Sequence, residues 1–123
     1  VNWRTGNWQG YFDQDFEAII DLQKVEQVNS VGVHVLQDMP AWILFPKSMI
    51  IYSSYDGKEF KEAGKVDSPF DEEQSQKVKE MLLPVQLNTR YIKVKLLNGG
   101  KLPASHESAG SPSHLFIDEV LVK

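Results

Sequence analysis

Cysteine is absent from the 123 residues, which excludes thiol catalysis, Cys-based zinc sites and disulfide cross-links. Long apolar runs are missing too, since no stretch reaches the roughly 18 residues of a membrane-spanning helix. Runs of Lys or Arg are likewise missing, and the formal net charge is −4. Nucleic acid and anionic membrane both favour a basic surface, so neither is expected as the main partner.

Arrangements that would indicate catalysis are also missing. The three histidines lack zinc-ligand spacing, and no Ser-His-Asp pattern or Gly-rich phosphate loop is present, so neither an enzyme nor an organic cofactor is expected. Asp118 and Glu119 are adjacent, like the acid pair of some glycosidases. Neighbours in a strand point to opposite faces, however, so these two carboxyls are not expected to act on one bond.

The most informative pattern that is present is a β-hairpin over residues 47–66. Met49, Ile51 and Ser53 share one face of the first arm, and Phe60 lies in the second. Asp56-Gly57 between the arms predicts a two-residue type I′ turn, because both residues tolerate positive φ. Its partners are expected to be other antiparallel strands, since the connections around it are short.

Further strands are predicted from alternating apolar residues at 16–22, 31–35, 92–96 and 115–122, with a polar turn near Gln23-Lys24. Residues 78–87 are apolar but contain Pro84, which favours an edge strand. Residues 1–15 are aromatic without periodicity and are interpreted as a loop against the core. A length of 123 residues fits one domain. Many short strands with turns between them indicate an all-β antiparallel sandwich or jelly roll.

Two connections stand out. Residues 37–46, QDMPAWILFP, carry an apolar run between two prolines. Residues 98–114, NGGKLPASHESAGSPSH, have no periodicity and are rich in Gly, Ser and Pro. A patternless loop of this length inside a compact domain is usually functional or mobile.

Several segments together resemble one known family. They are GNWQGY, FEAIIDL, the S-x-D-G-x-x-F of the hairpin, RYIKVKL and FIDEVLV. In this order the chain resembles the coagulation factor 5/8 type C domain, also called discoidin or galactose-binding-like, which includes family 32 carbohydrate-binding modules. The segments NWRTGNWQGY, LQDMPAWILFP and GKLPASHESAG are similar to the C-terminal domain of bacterial family 20 glycoside hydrolases, the chitobiase or β-N-acetylhexosaminidase type.

The resemblance implies a jelly roll of about eight strands, a sugar site in loops at one end, and often a structural calcium. It also implies one domain over residues 1–123. Family members usually carry an Asp-Gly loop just before the Asn-Trp position, and the chain begins at Val1 without it, so the first residues of the domain are expected to be missing. A secreted, periplasmic or cell-surface bacterial location is expected.

Sugar recognition needs an aromatic face against the ring and polar groups for its hydroxyls. If the two connections meet at one end, the predicted carbohydrate-binding residues are Trp42, Asp38, Asn98, Lys101 and His106. Two alternatives stay open: Trp42 caps the core together with residues 43–45, and His106 is an ordinary solvated histidine.

Two further residues are candidates with equally plain alternatives. Arg4 suits vicinal hydroxyls, although it lies near Trp3 and Trp8 and stacking on a ring is an equal expectation. Glu119 is a calcium ligand if it turns toward the amino-terminal loop, because calcium takes hard oxygen ligands. The alternative for Glu119 is an acid at a bulge that faces solvent or pairs with a lysine.

The sequence therefore predicts a non-catalytic carbohydrate-binding module of a chitobiase-like glycoside hydrolase. Its partners would be a galactose or N-acetylhexosamine type of sugar and the parent catalytic domain. The alternative is an interaction module that packs against that catalytic domain, with Trp42 in the interface. Membrane-lipid binding would need basic residues near exposed apolar loops, and these loops have too few.

Overall fold

The computed structural model describes residues 3–5, 9–12, 14–38, 43–67, 76–99 and 114–123. These residues contain no helix, and therefore none that is long and apolar enough to cross a membrane. They form seven strands that pair in antiparallel fashion throughout. The strands are β1 (Trp3–Thr5), β2 (Gln9–Phe12), β3 (Phe16–Asp38), β4 (Ser48–Ser54), β5 (Lys61–Asp67), β6 (Gln76–Leu97) and β7 (His114–Val122).

Two long strands, β3 and β6, run through the whole fold. They pair with each other from Phe16↔Leu96 to Asp38↔Gln76, and the register is interrupted between Asp21 and Glu26. Such an interruption lets paired strands bend sharply. The first half of β3 and the second half of β6 lie beside β4 and β5, whereas the other halves lie beside β7, β1 and β2.

The two halves enclose one apolar core. Side chains alternate as predicted: Ile20 is 4% exposed and its neighbour Ile19 is 53% exposed. Burial of each large aliphatic side chain contributes about 1.5–3 kcal/mol. The sandwich prediction is confirmed, because one cluster draws on strands of both halves: Phe16, Ile20, Val28, Val31, Val33, Val35, Phe45, Met49, Ile51, Met81, Ile92, Val94, Leu96, Leu115, Ile117, Val120 and Val122.

Because β3 and β6 bend, the sandwich has two distinct ends. Both ends of β3 and both ends of β6 lie at one of them, which we call the loop pole; it comprises residues 14–16, 38, 43–45 and 97–99. The bends of the long strands and the turn between β4 and β5 lie at the other end, the hairpin pole, which comprises residues 21–26, 54–60 and 89–91. A functional residue can therefore be assigned to a pole from the strand position it occupies.

Two local predictions need correction, and a third is confirmed. Residues 3–5 and 9–12 are not loop but short strands on β7, because β7 offers them a partner that aromatic composition does not reveal. The segments 16–22 and 31–35 are one strand: Gln23 adopts a left-handed φ of 73°, and this bends β3 without reversing it. Among the described strands, residues 78–87 pair with β3 alone, and β4 joins β6 only from Tyr91 onward, so they form an edge segment as predicted.

The hairpin itself is confirmed, but its turn is longer than two residues. β4 ends at Ser54 and β5 begins at Lys61, and Gly57 has a φ of 76° whereas Asp56 stays at negative φ. The type I′ prediction is wrong because the Asp56 side chain builds a wider turn. Its Oδ1 accepts hydrogen bonds from the N–H groups of Lys58 (2.8 Å) and Glu59 (3.0 Å).

Candidate functional site

The first predicted loop is closed at its base by backbone hydrogen bonds. The Asp38 N–H donates to the Ile43 carbonyl, and the Ile43 N–H donates to the Asp38 carbonyl, both at 2.9 Å. The four residues between them, which include Trp42, lie outside the described residues. Asp38 itself is half-buried at the end of β3. The closure fixes where the Trp42 segment leaves and re-enters the fold.

The apolar run after Trp42 belongs to the interior. Ile43, Leu44 and Phe45 are 6%, 3% and 1% exposed. From there the chain passes into β4, and the Lys47 N–H donates to the Leu97 carbonyl at 2.8 Å. Burial of these three residues anchors the loop, and it explains why the connection carries an apolar run that a surface turn does not need.

The second predicted loop starts in direct contact with the first. A Cβ built on Gly99 would lie only 2.5 Å from the Phe45 carbonyl oxygen and 2.9 Å from the Leu44 Cβ. Such an approach is open only to glycine, which has no Cβ. The bases of the two connections therefore meet at the loop pole. Lys101 and His106, farther along the second connection, lie outside the described residues.

Asn98 is held at the same pole by the residues before β3. Its N–H donates to the Asp15 carboxylate at 2.8 Å, and its Nδ2 lies 3.5 Å from the Gln14 carbonyl oxygen. The first of these is a good hydrogen bond and the second is at the outer limit for one. Asp38 and Asn98 thus share a pole, as their predicted role requires, and direct contact of either with sugar stays a prediction.

Arg4 lies elsewhere. In the ladder it pairs with Leu121, which in turn pairs with Gly32 of β3. Gly32 is six positions before Asp38, a separation of roughly 20 Å along a strand. The structure does not bring the backbone of Arg4 to the loop pole, and its role in binding stays a prediction.

Glu119 lies on the outer face of β7, beside an irregularity between Val33 and Val35 of β3. Its Oε2 is 3.4 Å from Nδ1 of His34, whose Nε2 is 3.8 Å from Oε2 of Glu80. The bulge expected in the alternative interpretation is present, with His34 rather than a lysine beside the carboxylate. Within the described ranges no three His, Asp or Glu side chains are grouped to hold a metal ion. Calcium binding by Glu119 stays a prediction.

Two carboxylates, those of Asp21 and Asp56, accept hydrogen bonds at the hairpin pole. The Arg90 guanidinium donates to both carboxylate oxygens of Asp21, at 2.9 and 3.0 Å, and together with the Gln23 N–H it holds the pKa of Asp21 below its usual value. The N–H groups of Lys58 and Glu59, followed by the Ser54 hydroxyl, lower the pKa of Asp56. Both carboxylates therefore stay ionised at neutral pH and fix local backbone geometry.

The family model for the F5/8 type C domain matches residues 2–110. The chain belongs to this family. The match includes the loop pole, the hairpin and both long strands. No curated protein sequence matches this F5/8 type C domain.

Solved structures share the fold at low identity. A family 32 carbohydrate-binding module (CBM32) of AlyQ, solved with 4,5-unsaturated mannuronic acid, has 15% identity and a TM-score of 0.52; the match covers 100% of this chain and 77% of that one. CBM32-3 from a family 31 glycoside hydrolase of Clostridium perfringens has 12% identity, coverages of 96% and 74%, and a TM-score of 0.50. A Bacteroides ovatus protein assigned as an α-L-fucosidase has 14% identity, coverages of 98% and 16%, and a TM-score of 0.50.

Two residues that organise the loop pole were not foreseen. Gly99 permits the contact between the two connections, and Asp15 holds the start of the second. The run Asn98-Gly99-Gly100 directly after a strand is a signal for Gly99, because glycine there indicates a turn or a close backbone approach. Asp15 has no comparable signal, since its partner lies 83 positions away.

Proposed function

We propose that this F5/8 type C domain is a non-catalytic carbohydrate-binding module that binds a galactose or N-acetylhexosamine type of sugar at the loop pole. The observation that supports the proposal is the contact of Gly99 with Leu44 and Phe45, because it joins the bases of the two connections that carry the predicted residues. Trp42 directly precedes this contact in the chain, and Lys101 and His106 follow it.

The module would serve a secreted, periplasmic or cell-surface bacterial glycoside hydrolase of the chitobiase type, to which its residues are similar. The AlyQ module was solved with 4,5-unsaturated mannuronic acid, which supports carbohydrate as the general class of ligand. A shallow site for one or two sugar rings is expected to bind with a Kd on the order of 1 mM, about −4 kcal/mol. Weak binding still helps a tethered enzyme, because attachment raises the effective concentration of its substrate.

The test is an NMR titration of the 123-residue chain with galactose, N-acetylgalactosamine and N-acetylglucosamine in turn. We expect saturable shifts of the Asp38, Ile43, Asn98 and Gly99 amides with one of these sugars. Trp42→Ala should abolish them, because the aromatic platform for the sugar ring is lost. Ile19→Ala removes an exposed apolar side chain from a sheet face and is the control, for which unchanged shifts are expected.

Trp42 has three interpretations: a sugar platform, a core cap, or an interface residue of the alternative interaction module. Urea unfolding of each variant, together with the titration, separates them. A sugar platform predicts lost binding with nearly unchanged stability. A core cap, or an interface residue of the alternative interaction module, predicts no saturable shift with any sugar in the parent chain. For the core cap, Trp42→Ala should also lower the free energy of unfolding by several kcal/mol, in the range of about 3–5 kcal/mol for a large buried side chain.

A further inference from the structure

A cleft lies at the hairpin pole. It has a volume of about 270 Å³ and is lined by Ser53, Ser54, Tyr55, Glu59, Phe60 and Lys61. The hairpin turn is six ladder positions from Ser48 and Leu97, which adjoin Asn98, so the cleft lies roughly 20 Å from the loop pole. Asp38 and Asn98, the predicted sugar-binding residues whose side chains are described, do not contribute to its lining. Its chemistry therefore needs a separate explanation.

The cleft is held by an ordered turn. The Ser54 hydroxyl accepts hydrogen bonds from the N–H groups of Asp56 (3.3 Å) and Gly57 (2.9 Å) and donates to the Asp56 carboxylate (3.0 Å). Beneath it, the buried Thr89 hydroxyl accepts from the Ser54 N–H at 3.2 Å and donates to the Ser54 carbonyl at 2.9 Å. A site whose backbone is fixed before binding loses less conformational entropy when a ligand arrives.

One wall of the cleft is aromatic and exposed without serving the core. Tyr55 is 69% exposed, the largest value among the exposed large hydrophobic residues of the described chain. Phe60 is half-buried, and the Lys93 ammonium lies 4.5 Å from its ring centroid. The same ammonium forms an ion pair with Glu17 at 3.7 Å. The ion pair and the attraction to the ring together hold Lys93 beside Phe60. The cleft thus combines one exposed aromatic ring with one that packs beside a cation.

The polar groups of the cleft complement the rings. Glu59 supplies acceptors, Lys61 supplies donors, and both are exposed. Their charges offset each other, so neither an anionic nor a cationic ligand is favoured. The volume lies just below the range of about 300–1,000 Å³ for sites that enclose drug-sized ligands. Aromatic faces, a donor, an acceptor and room for one ring match a single neutral pyranose.

We propose that the cleft at the hairpin pole is a second, independent binding site for one neutral sugar ring. Tyr55 stacks on the C–H face of the sugar, while Glu59 and Lys61 bind its hydroxyls. The domain then engages two glycan chains, or two points on one chain, from opposite ends of the sandwich. This proposal goes beyond the function of the loop pole and does not need a sugar to bind there.

The test uses the same amide titration, continued to concentrations of tens of millimolar, above the Kd of about 1 mM expected for one ring. With galactose, N-acetylgalactosamine or N-acetylglucosamine, saturable shifts are expected at the Tyr55, Gly57 and Lys61 amides. Tyr55→Ala should weaken this binding at least about tenfold, a change of about 1.4 kcal/mol. Because Tyr55 is largely exposed, the variant should keep the wild-type spectrum elsewhere.

Lys58→Ala is the matched control, because Lys58 lies in the same turn, outside the cleft lining, and keeps its backbone hydrogen bond to Asp56. It should bind as the parent does. Trp42→Ala should leave the hairpin shifts intact, and Tyr55→Ala should leave the loop-pole shifts intact, so the failure of either site is visible separately. Shifts at the hairpin that grow linearly without saturation, or that are equal in the parent and Tyr55→Ala, would overturn the proposal.

Discussion

Replacement of Gly99 by alanine tests the contact that organises the loop pole. The new Cβ would lie 2.5 Å from the Phe45 carbonyl oxygen and 2.9 Å from the Leu44 Cβ, closer than real Cβ contacts allow. Gly99 does not adopt a positive φ, so the backbone conformation itself accepts alanine. The obstacle is space: the nearest obstructing atom is a backbone oxygen, and the Leu44 Cβ can move only with its backbone. Either residues 44–45 or residues 98–99 must therefore move.

The expected magnitude follows from two opposing effects. Overpacking in a closely packed region costs about 1–3 kcal/mol. Alanine also lowers the conformational entropy of the unfolded chain, which stabilises the folded state by about 0.4–1 kcal/mol. Combining the midpoints of the two ranges gives a net loss of about 1–2 kcal/mol in the free energy of unfolding. For a domain of this size that lowers the Tm by roughly 4–8 °C.

Gly32→Ala is the matched control. A Cβ there would meet Oε1 of Glu80 at 3.1 Å and Cδ1 of Leu82 at 3.2 Å, both at the ends of flexible side chains on the outer face of the sheet. These ends can turn aside, and alanine restricts the unfolded chain here too, so Gly32→Ala should be as stable as the parent or more stable by up to about 1 kcal/mol. Urea unfolding followed by circular dichroism measures both variants. If Gly99→Ala matches Gly32→Ala in stability, the inferred contact at the loop pole is wrong.

Two other predictions concern the hairpin pole. The folded-state pKa of Asp56 is lowered from 3.8, so its stabilising effect is present above that pH and is lost as the pH falls through the folded pKa. The difference in urea midpoint between the parent and Asp56→Asn should thus be largest at pH 7 and shrink on acidification below about pH 4; a constant difference would contradict this. Thr89 is 1% exposed, and Thr89→Val leaves the Ser54 N–H and carbonyl without their hydroxyl partner, at a cost of about 1–3 kcal/mol. Thr89→Ser keeps the hydroxyl and should be clearly more stable than Thr89→Val in the same urea assay.

Local pattern was sufficient for the elements whose partners are close in sequence or whose two faces differ strongly. Ile92, Val94 and Leu96 alternate with polar residues and are all fully buried, as predicted. The hairpin arms and the edge segment around Pro84 also follow from local chemistry. The wide turn at Asp56 does not, because the Asp-Gly sequence is equally compatible with a two-residue turn. The hydrogen bonds of the Asp56 side chain determine that the wider turn forms.

The continuity of β3 was not predictable in this way. The polar pair Gln23-Lys24 indicates a turn, but the ladder with β6 resumes at Glu26 and keeps the chain extended. The partner that holds it there is more than 60 positions away along the chain. For the candidate site, the sequence identified the two connections that meet, and the contact through Gly99 was visible only in three dimensions.

The pairing of β3 with β6 also determines how the domain must fold. Phe16 meets Leu96 across about 80 intervening positions, and the later part of β3 needs both β6 and β7. Contacts of such high contact order require large loops to close before they return any stabilisation, which is typical of β-sandwiches that fold in milliseconds to seconds. Among the described residues, the buried apolar side chains of both halves form one cluster, so the transition state has to recruit strands from both the middle and the end of the chain.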